Sequence, residues 1–350
     1  MIKTLLVKTT DKCIQNCKYC YLEKKNTGEI DNITLINLEK LTDYISKCNR
    51  GSNLDIHLSG GEISEIATYK YEHLLKSLSK YGKLHINTNA SKFSISHIEL
   101  AKKYHASISL SLDGPEAFHD SRRGKGNWLS VERLAGLLKK YNVSCGFVMV
   151  LDDSCEEHFE EIYNFFKINI GINFKQIKMN PAIPSATPEV WARFMIKLAD
   201  RLFTDNQELW EYTINDISKA ILNQGYTRGC SYGSCYSDYL ALNWNGDVTL
   251  CERFFGIRDY SEYLVGNINK NTPHEIIFGN RRAELIAMMQ HRKLRCMDMD
   301  CEWYHLCGGG CSHSCISLGV AGIEAKDPYC ISRQELFNHI KKLVNPPLQT

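Results

Sequence analysis

No stretch of the 350 residues approaches the run of about 20 apolar residues that a bilayer-spanning helix needs. The N-terminal MIKTLLVKTTDK returns to polar residues after three strongly apolar ones in a row, too few for a signal peptide. A cytoplasmic protein without a membrane segment is therefore expected. Charge of one sign is equally scarce. Forty-two Lys and Arg face 40 Asp and Glu, net +2, and no run of like charge is long enough to form a nucleic-acid-binding arm. No nucleic-acid partner is expected. Cysteine is the residue present in excess, with 15 in the chain. An odd number in a reducing compartment argues against a disulfide framework and points to metal.

The cysteines are unevenly spread. Cys13, Cys17 and Cys20 crowd the start, Cys48, Cys145 and Cys155 are scattered, and nine fall between Cys230 and Cys330. The scattered three read as small buried side chains. The segment CIQNCKYCY could stretch to about 25 Å from Cys13 to Cys20, and a helix would string the three thiols over roughly 10 Å. They can meet at one small object only if the backbone loops around it. Four-ligand structural centres close their coordination shell, whereas a reactive centre keeps one position open. Three clustered thiols suit an open metal centre, with a zinc knuckle or three unrelated buried thiols as the alternatives.

From residue 1 to about 200 the pattern alternates strand and helix. β-rich runs stand at 4–9, 54–58, 83–88, 107–112, 145–151 and 173–179, separated by helical patterns such as YKYEHLLKSLSKY and VERLAGLLKKY. Six such repeats predict a parallel sheet with crossover helices, whose ligand groups gather where strands end. At these ends lie SGGE (Ser59 to Glu62), NTNAS and SLDGP. Paired glycines let the backbone approach a ligand closely, and a neighbouring carboxylate can accept from an ammonium group. Asp113 and Gly114 also suit a plain turn, and His119 and Asp120 a helix cap.

With C-x3-C-x2-C and Tyr19 before the third cysteine, the chain resembles the radical S-adenosylmethionine (SAM) enzymes. The resemblance implies a partial (β/α)6 barrel over residues 1–200 and a [4Fe-4S] cluster on Cys13, Cys17 and Cys20 whose fourth iron chelates SAM. It places Tyr19 near the adenine, Gly60, Gly61 and Glu62 at the methionine amino group, Ser111 at the ribose and Arg123 at the carboxylate. Asn89 occupies the family's T-N-G segment, where Ala90 replaces the glycine, and Ile63 replaces a frequent proline.

Downstream, GCSYGSCYSDYLALNWNGDVTLCERFFG carries Asn245-Gly246 between apolar runs, which predicts a two-residue type I′ hairpin. That register sets Trp244 opposite Asp247 and Cys251 opposite Leu240, so that Cys230, Cys235 and Cys251 can share a site. Cys296, Cys301, Cys307, Cys311, Cys315 and Cys330 follow. The layout resembles the SPASM domain of peptide- and protein-modifying radical SAM enzymes, although four residues, not two, separate Cys296 from Cys301. The resemblance implies two auxiliary [4Fe-4S] clusters, one on Cys230, Cys235, Cys251 and Cys311 and one on Cys296, Cys301, Cys307 and Cys330, with Cys315 spare. Zinc is the alternative here, because His305 and His313 sit among the thiols. The expected organisation is a barrel at 1–200, a helical linker at 201–229, a small cysteine-rich domain with a β-hairpin at 230–335 and a tail at 336–350 without chemistry.

Three clusters and SAM are thus the expected cofactors, with an electron supplied by a low-potential donor such as flavodoxin or ferredoxin. The leading expectation is a maturase that cross-links or oxidises side chains of a ribosomally made precursor peptide. Formylglycine formation on a sulfatase is the second, and a non-catalytic iron–sulfur or zinc protein the third. Glu252 matches the position of the proton-abstracting Asp of anaerobic sulfatase-maturating enzymes; its alternative is a surface carboxylate pairing with Arg253 or Arg258. Because the first strand begins near Lys3, an N-terminal leader-binding module is not expected. Leader capture then falls to a separate small protein, an exposed edge, or the linker, whose Trp210, Ile214, Ile217 and Ile221 form one helical stripe that equally suits ordinary packing.

Overall fold

A computed structural model describes the chain except for residues 23–27, 170–175, 206–209, 224, 228, 231, 233–234, 319–325 and 346–350. The described residues form two compact units, one of residues 1–112, 119–147 and 236–287, the other of 113–118, 148–235 and 288–350. Nine strands follow one another in a mixed, mostly parallel sheet in the order β6-β5-β4-β3-β2-β1-β7-β8-β9. Among the described residues no helix is long and apolar enough to cross a membrane.

In the first unit β1 (Thr4–Lys8), β2 (Leu54–Ser59), β3 (Gly82–Thr88) and β4 (Ser107–Ser111) pair in parallel. β-Branched and leucyl side chains alternate along them with polar ones. Leu54, Ile56 and Leu58 of β2, Leu84 and Ile86 of β3, and Ile108 and Leu110 of β4 are all buried. They form one face of the pleat, and helices α1 (Asn32–Cys48), α2 (Thr68–Leu78) and α3 (Ile95–Lys103) pack side by side, with α2 against β3. His57, Ser59, His85, Asn87, Ser107, Ser109 and Ser111 take the opposite face and are only half-buried. A parallel sheet covered by hydrocarbon on both sides reads as continuous apolar runs; this alternation leaves a polar face. The register pairs Lys8 with Ser59 and Thr88 with Leu110, which brings the C-terminal ends of the strands level.

α1 starts at Asp31, whose carboxylate accepts from Thr34 N at 2.7 Å. α3 starts with a capping box in which Ser94 and His97 satisfy each other's backbone donors. α4 (Glu116–Arg123) and α5 (Asn127–Tyr141) precede β5 (Cys145–Leu151).

The hairpin differs from expectation. β7 (Tyr239–Leu242) and β8 (Asp247–Thr249) pair with Ala241 opposite Thr249 and Leu242 opposite Val248, a register one residue away from that of a two-residue turn. Asn243 N bonds Asp247 O at 2.8 Å, which encloses the three residues Trp244, Asn245 and Gly246. A type I′ turn needs φ > 0 at both central residues. Only Gly246 of the three, at +90°, has a positive φ, and the result is a three-residue loop ending in a left-handed glycine. β7 also pairs in parallel with β1, Thr4 opposite Tyr239, and β8 continues to β9 (Gly266–Asn267).

In the second unit β6 (Ile177–Pro181) is described from Ile177 onward, and the first residues of its expected run, 173–175, lie outside the described ones. α6 (Phe159–Asn169), α7 (Pro188–Thr204), α8 (Tyr212–Leu222) and the C-terminal helix Cys330–Val344 complete the unit. α8 packs against β6 and the C-terminal helix, which in turn packs on α7. Of the linker stripe, Trp210, Ile214 and Ile217 are at most 2% exposed and belong to the core, while Ile221 is half-buried. Residues 207–209 of that linker and Pro346-Pro347 of the tail lie outside the described residues.

Candidate active site

The cysteine loop leaves the end of β1 through Thr9, Thr10, Asp11 and Lys12. The SGGE segment leaves β2 beside it, and the two are tied by backbone bonds: Thr9 N to Ser59 O at 2.8 Å, Gly61 N to Thr10 O at 2.7 Å and Glu62 N to Lys12 O at 2.8 Å. A Cβ on Gly60 would lie 2.6 Å from Thr10 O, and one on Gly61 would lie 2.4 Å from Lys12 O. The paired glycines are therefore required by the approach of the cysteine loop's own backbone, a demand the sequence reading assigned to a ligand.

Glu62 is 1% exposed. Its Oε1 accepts from Thr88 Oγ1 at 2.6 Å, Ser64 Oγ at 2.7 Å and Ser64 N at 3.0 Å, and its Oε2 accepts from Asn89 N at 2.7 Å. Burial raises the carboxyl's pKa, and these donors only partly offset that. The carboxylate thus clamps the end of β3 to the loop after β2. Asn89 in turn donates from Nδ2 to Cys13 Sγ at 3.4 Å, and Gln15, 3% exposed, donates from Nε2 to Asn89 O at 3.4 Å and accepts from Cys17 Sγ at 3.7 Å. Two of the three thiols are held by amide side chains, and Gln15 is a member that motif spacing did not reveal. Ala90 takes φ +69°, which explains why a glycine suits this position.

Around Tyr19 the structure places two arginines. Arg122 Cζ lies 4.5 Å and Arg123 Cζ 5.4 Å from the ring centroid, and both side chains are at most 5% exposed. Lys18 N also bonds Arg122 O at 3.0 Å, which docks the cysteine loop on the end of α4. The motif pointed to Arg123; Arg122 is the closer neighbour. Ser111 ends β4, half-buried on the polar face.

Glu252 belongs to this group. β7 pairs with β1, β8 returns antiparallel to it, and the 3₁₀ turn Glu252–Gly256 that follows lies against β1, where Ser59 Oγ donates to Glu252 Oε2 at 3.1 Å. Lys8, the register partner of Ser59, is 4% exposed, and Asp11, Glu252 and Cys20 all act on its charge. Desolvation nevertheless lowers the Lys8 pKa. Glu252, half-buried, is therefore set beside Ser59 and Lys8. Lys8 is a buried neighbour of Glu252 and Cys20 that the sequence did not reveal, because a lone lysine at a strand end carries no pattern.

In the second unit Cys296, Cys301, Cys307 and Cys330 line one recess of about 370 Å³ counted out to solvent, together with Asp327 and Gln334. A donor set of four thiols suits a four-thiolate iron–sulfur cluster. Neither His305 nor His313 is among the lining residues, and Cys315 lies fully buried with its Sγ donating to Cys311 O at 3.4 Å. Of the other predicted ligand set, Cys251 falls in the first unit and Cys230, Cys235 and Cys311 in the second.

Residues 7–166 match the radical SAM superfamily, and residues 230–312 match SPASM, an iron–sulfur cluster-binding domain. A cysteine-type anaerobic sulfatase-maturating enzyme of Clostridium novyi is 23% identical, over 89% of this chain and 87% of its own. A serine-type anaerobic sulfatase-maturating enzyme of Bacteroides thetaiotaomicron is 23% identical, over 94% of this chain and 86% of its own. Among solved structures, native anSMEcpe with bound AdoMet superposes with a TM-score of 0.80 at 21% identity, over 98% of this chain and 100% of its own. Streptococcus suis SuiB bound to precursor peptide SuiA superposes with 0.65 at 15%, over 93% and 75%. At these identities the superpositions show a shared fold. The chain is a radical SAM enzyme with a SPASM domain, and its cofactors are SAM and multiple [4Fe-4S] clusters.

Proposed function

We propose that this enzyme oxidises a side chain of a peptide substrate, with a ribosomally made precursor peptide as the first reading and oxidative cross-linking or a related modification as the outcome. The observation that carries it is the position of Glu252, bonded to Ser59 at the strand ends that bear the cysteine loop. When bound, SAM and its cluster supply a 5′-deoxyadenosyl radical, and auxiliary clusters accept the electron left after hydrogen abstraction. Cys13, Cys17 and Cys20 are the proposed ligands of the SAM cluster, and Gly60, Gly61, Glu62, Asn89, Ser111, Tyr19 and Arg123 the SAM-binding residues. Cys296, Cys301, Cys307 and Cys330 hold one auxiliary cluster, and Cys230, Cys235, Cys251 and Cys311 the other. Glu252 takes the substrate proton at its carboxylate, with Ser59 orienting it. Although it lies in the sequence span assigned to the auxiliary clusters, Glu252 works at the radical site. A low-potential flavodoxin or ferredoxin as donor, and a separate leader-binding protein, belong to the same proposal.

Formylglycine formation on a sulfatase is the second reading, supported by the likeness to sulfatase-maturating enzymes over most of both chains. Glu252, one methylene longer than the Asp of those enzymes, weighs toward the first. Co-expression with candidate peptides and with a sulfatase, followed by mass spectrometry, tests the choice. Loss of two hydrogens from a peptide supports the first reading, and an oxidised Cys or Ser in the sulfatase with peptides untouched overturns it.

A further inference from the structure

The C-terminal helix begins at Cys330 and carries Arg333 and Gln334 at i+3 and i+4, a spacing that sets all three on one face. Cys330 and Gln334 line the recess with Cys296, Cys301 and Cys307. Gln334 Nε2 donates to Cys330 Sγ at 3.4 Å. Arg333, 2% exposed, forms an ion pair with Asp327, 4% exposed. Asp327 is otherwise saturated: it accepts from Cys311 N at 2.5 Å, Tyr329 N at 2.9 Å and Ser314 Oγ at 2.9 Å. One carboxylate therefore fastens the segment around Cys311 to the helix turn that presents Cys330 and Gln334. Arg333 also hydrogen-bonds Cys307, its charge offset by Asp327 at close range, and the amide of Gln334 is a neutral donor directed at a second ligand sulfur, that of Cys330.

We propose that Gln334 sets the reduction potential of the cluster held by Cys296, Cys301, Cys307 and Cys330, and that the Asp327–Arg333 pair positions it to do so. The inference rests on the ligand reading given above. Reduction adds one electron to a cluster whose thiolates are already negative, and an N–H aimed at a ligand sulfur stabilises the added charge. The donor thus raises the potential and makes this cluster a better acceptor for the electron released when the substrate radical is oxidised.

The test uses the full chain, anaerobically reconstituted, in a potentiometric titration followed by electron paramagnetic resonance, with iron counted in parallel. In Gln334→Leu one auxiliary signal is expected at lower potential. At a fixed potential its reduced-to-oxidised ratio should fall about tenfold, which is about 59 mV for one electron. Gln334→Glu, which replaces the donor with an acceptor, should move the same signal at least as far. Iron content and the SAM-cluster signal should stay unchanged in both. Unmoved potentials in both variants would overturn the proposal, as would loss of iron from Gln334→Leu, since the residue would then build the site and not tune it. Cys330→Ala separates the two levels. It should lose about four irons. Unchanged iron there would overturn the ligand reading and the proposal with it, whereas lost iron there with unmoved potentials in the glutamine variants would sink only the role of Gln334.

Discussion

Ser59 Oγ donates to Glu252 Oε2 at 3.1 Å, joining the last residue of β2 to a carboxylate 193 positions further along the chain. The two meet because β7 pairs with β1, β8 returns antiparallel to β7, and the 3₁₀ turn Glu252–Gly256 that follows lies against β1. If Glu252 takes a proton from the substrate, Glu252→Gln should lower product formation by roughly 10²- to 10⁴-fold, the usual worth of a general base, while SAM cleavage to 5′-deoxyadenosine continues. Ser59→Ala removes only an orienting donor and should cost less. Chromatography of 5′-deoxyadenosine beside mass spectrometry of the peptide separates the two yields. Equal loss of both in Glu252→Gln would count against the role.

Replacing Cys13, Cys17 and Cys20 together with Ala should abolish SAM cleavage and remove about four of roughly twelve irons, the content of three [4Fe-4S] clusters. The auxiliary clusters should survive, because their eight proposed thiols all lie at or beyond Cys230. Iron assay and 5′-deoxyadenosine formation measure both halves. Retained cleavage in the triple variant would sink the assignment of the SAM cluster.

Gly61 should be far more sensitive than Ala90 to a change of one methyl group. Gly61→Ala places a Cβ 2.4 Å from Lys12 O and must push β2's exit away from the cysteine loop. A cost of about 1–3 kcal/mol is expected, as for other overpacked sites, with weakened SAM binding. Ala90→Gly removes a Cβ from a residue at φ +69°, a conformation that costs an L-residue roughly 1–2 kcal/mol. Against this stand the loss of a fully buried methyl and the extra freedom of unfolded glycine, so stability should change by less than about 1 kcal/mol in either direction. Denaturant midpoints at constant m-value decide both.

Glu29 links the cysteine loop to α2 through Lys12 Nζ at 2.9 Å and Lys70 Nζ at 2.6 Å. Burial pushes its pKa up, but the hydrogen bonds and charges of Lys70 and Lys12 together outweigh that and hold it below the usual value. A carboxyl whose folded pKa is depressed binds fewer protons when folded, so its contribution is present above the unfolded pKa of about 4.3 and is lost as pH falls through the folded value. Glu29→Gln should therefore lower the melting temperature at pH 6–7, and the gap to the parent protein should close as the pH falls below about 4. A gap of constant size down to pH 3 would show that the pair contributes by packing alone.

Local pattern was enough for the strands of the first unit, because alternation of Leu54, Ile56 and Leu58 with Asp55, His57 and Ser59 can be satisfied only by a strand with one apolar face. The cysteine loop and SGGE stood out as motifs for a similar reason, since Cys13, Cys17 and Cys20, and Gly60 and Gly61, are close neighbours in the chain. The hairpin register lay beyond local pattern: Asn245-Gly246 permits both a two- and a three-residue loop, and the backbone took the one that spares Asn245 a positive φ. Contacts between distant segments were also invisible. Nothing near Glu252 in the chain announces Ser59, nothing near Arg122 announces Tyr19, and the spacing of the cysteines does not announce Arg333 and Gln334 against Asp327 and Cys330. A motif records what must be adjacent along the backbone, whereas these partners are selected by strand pairing and helix packing, which bring together residues whose separation in sequence carries no constraint.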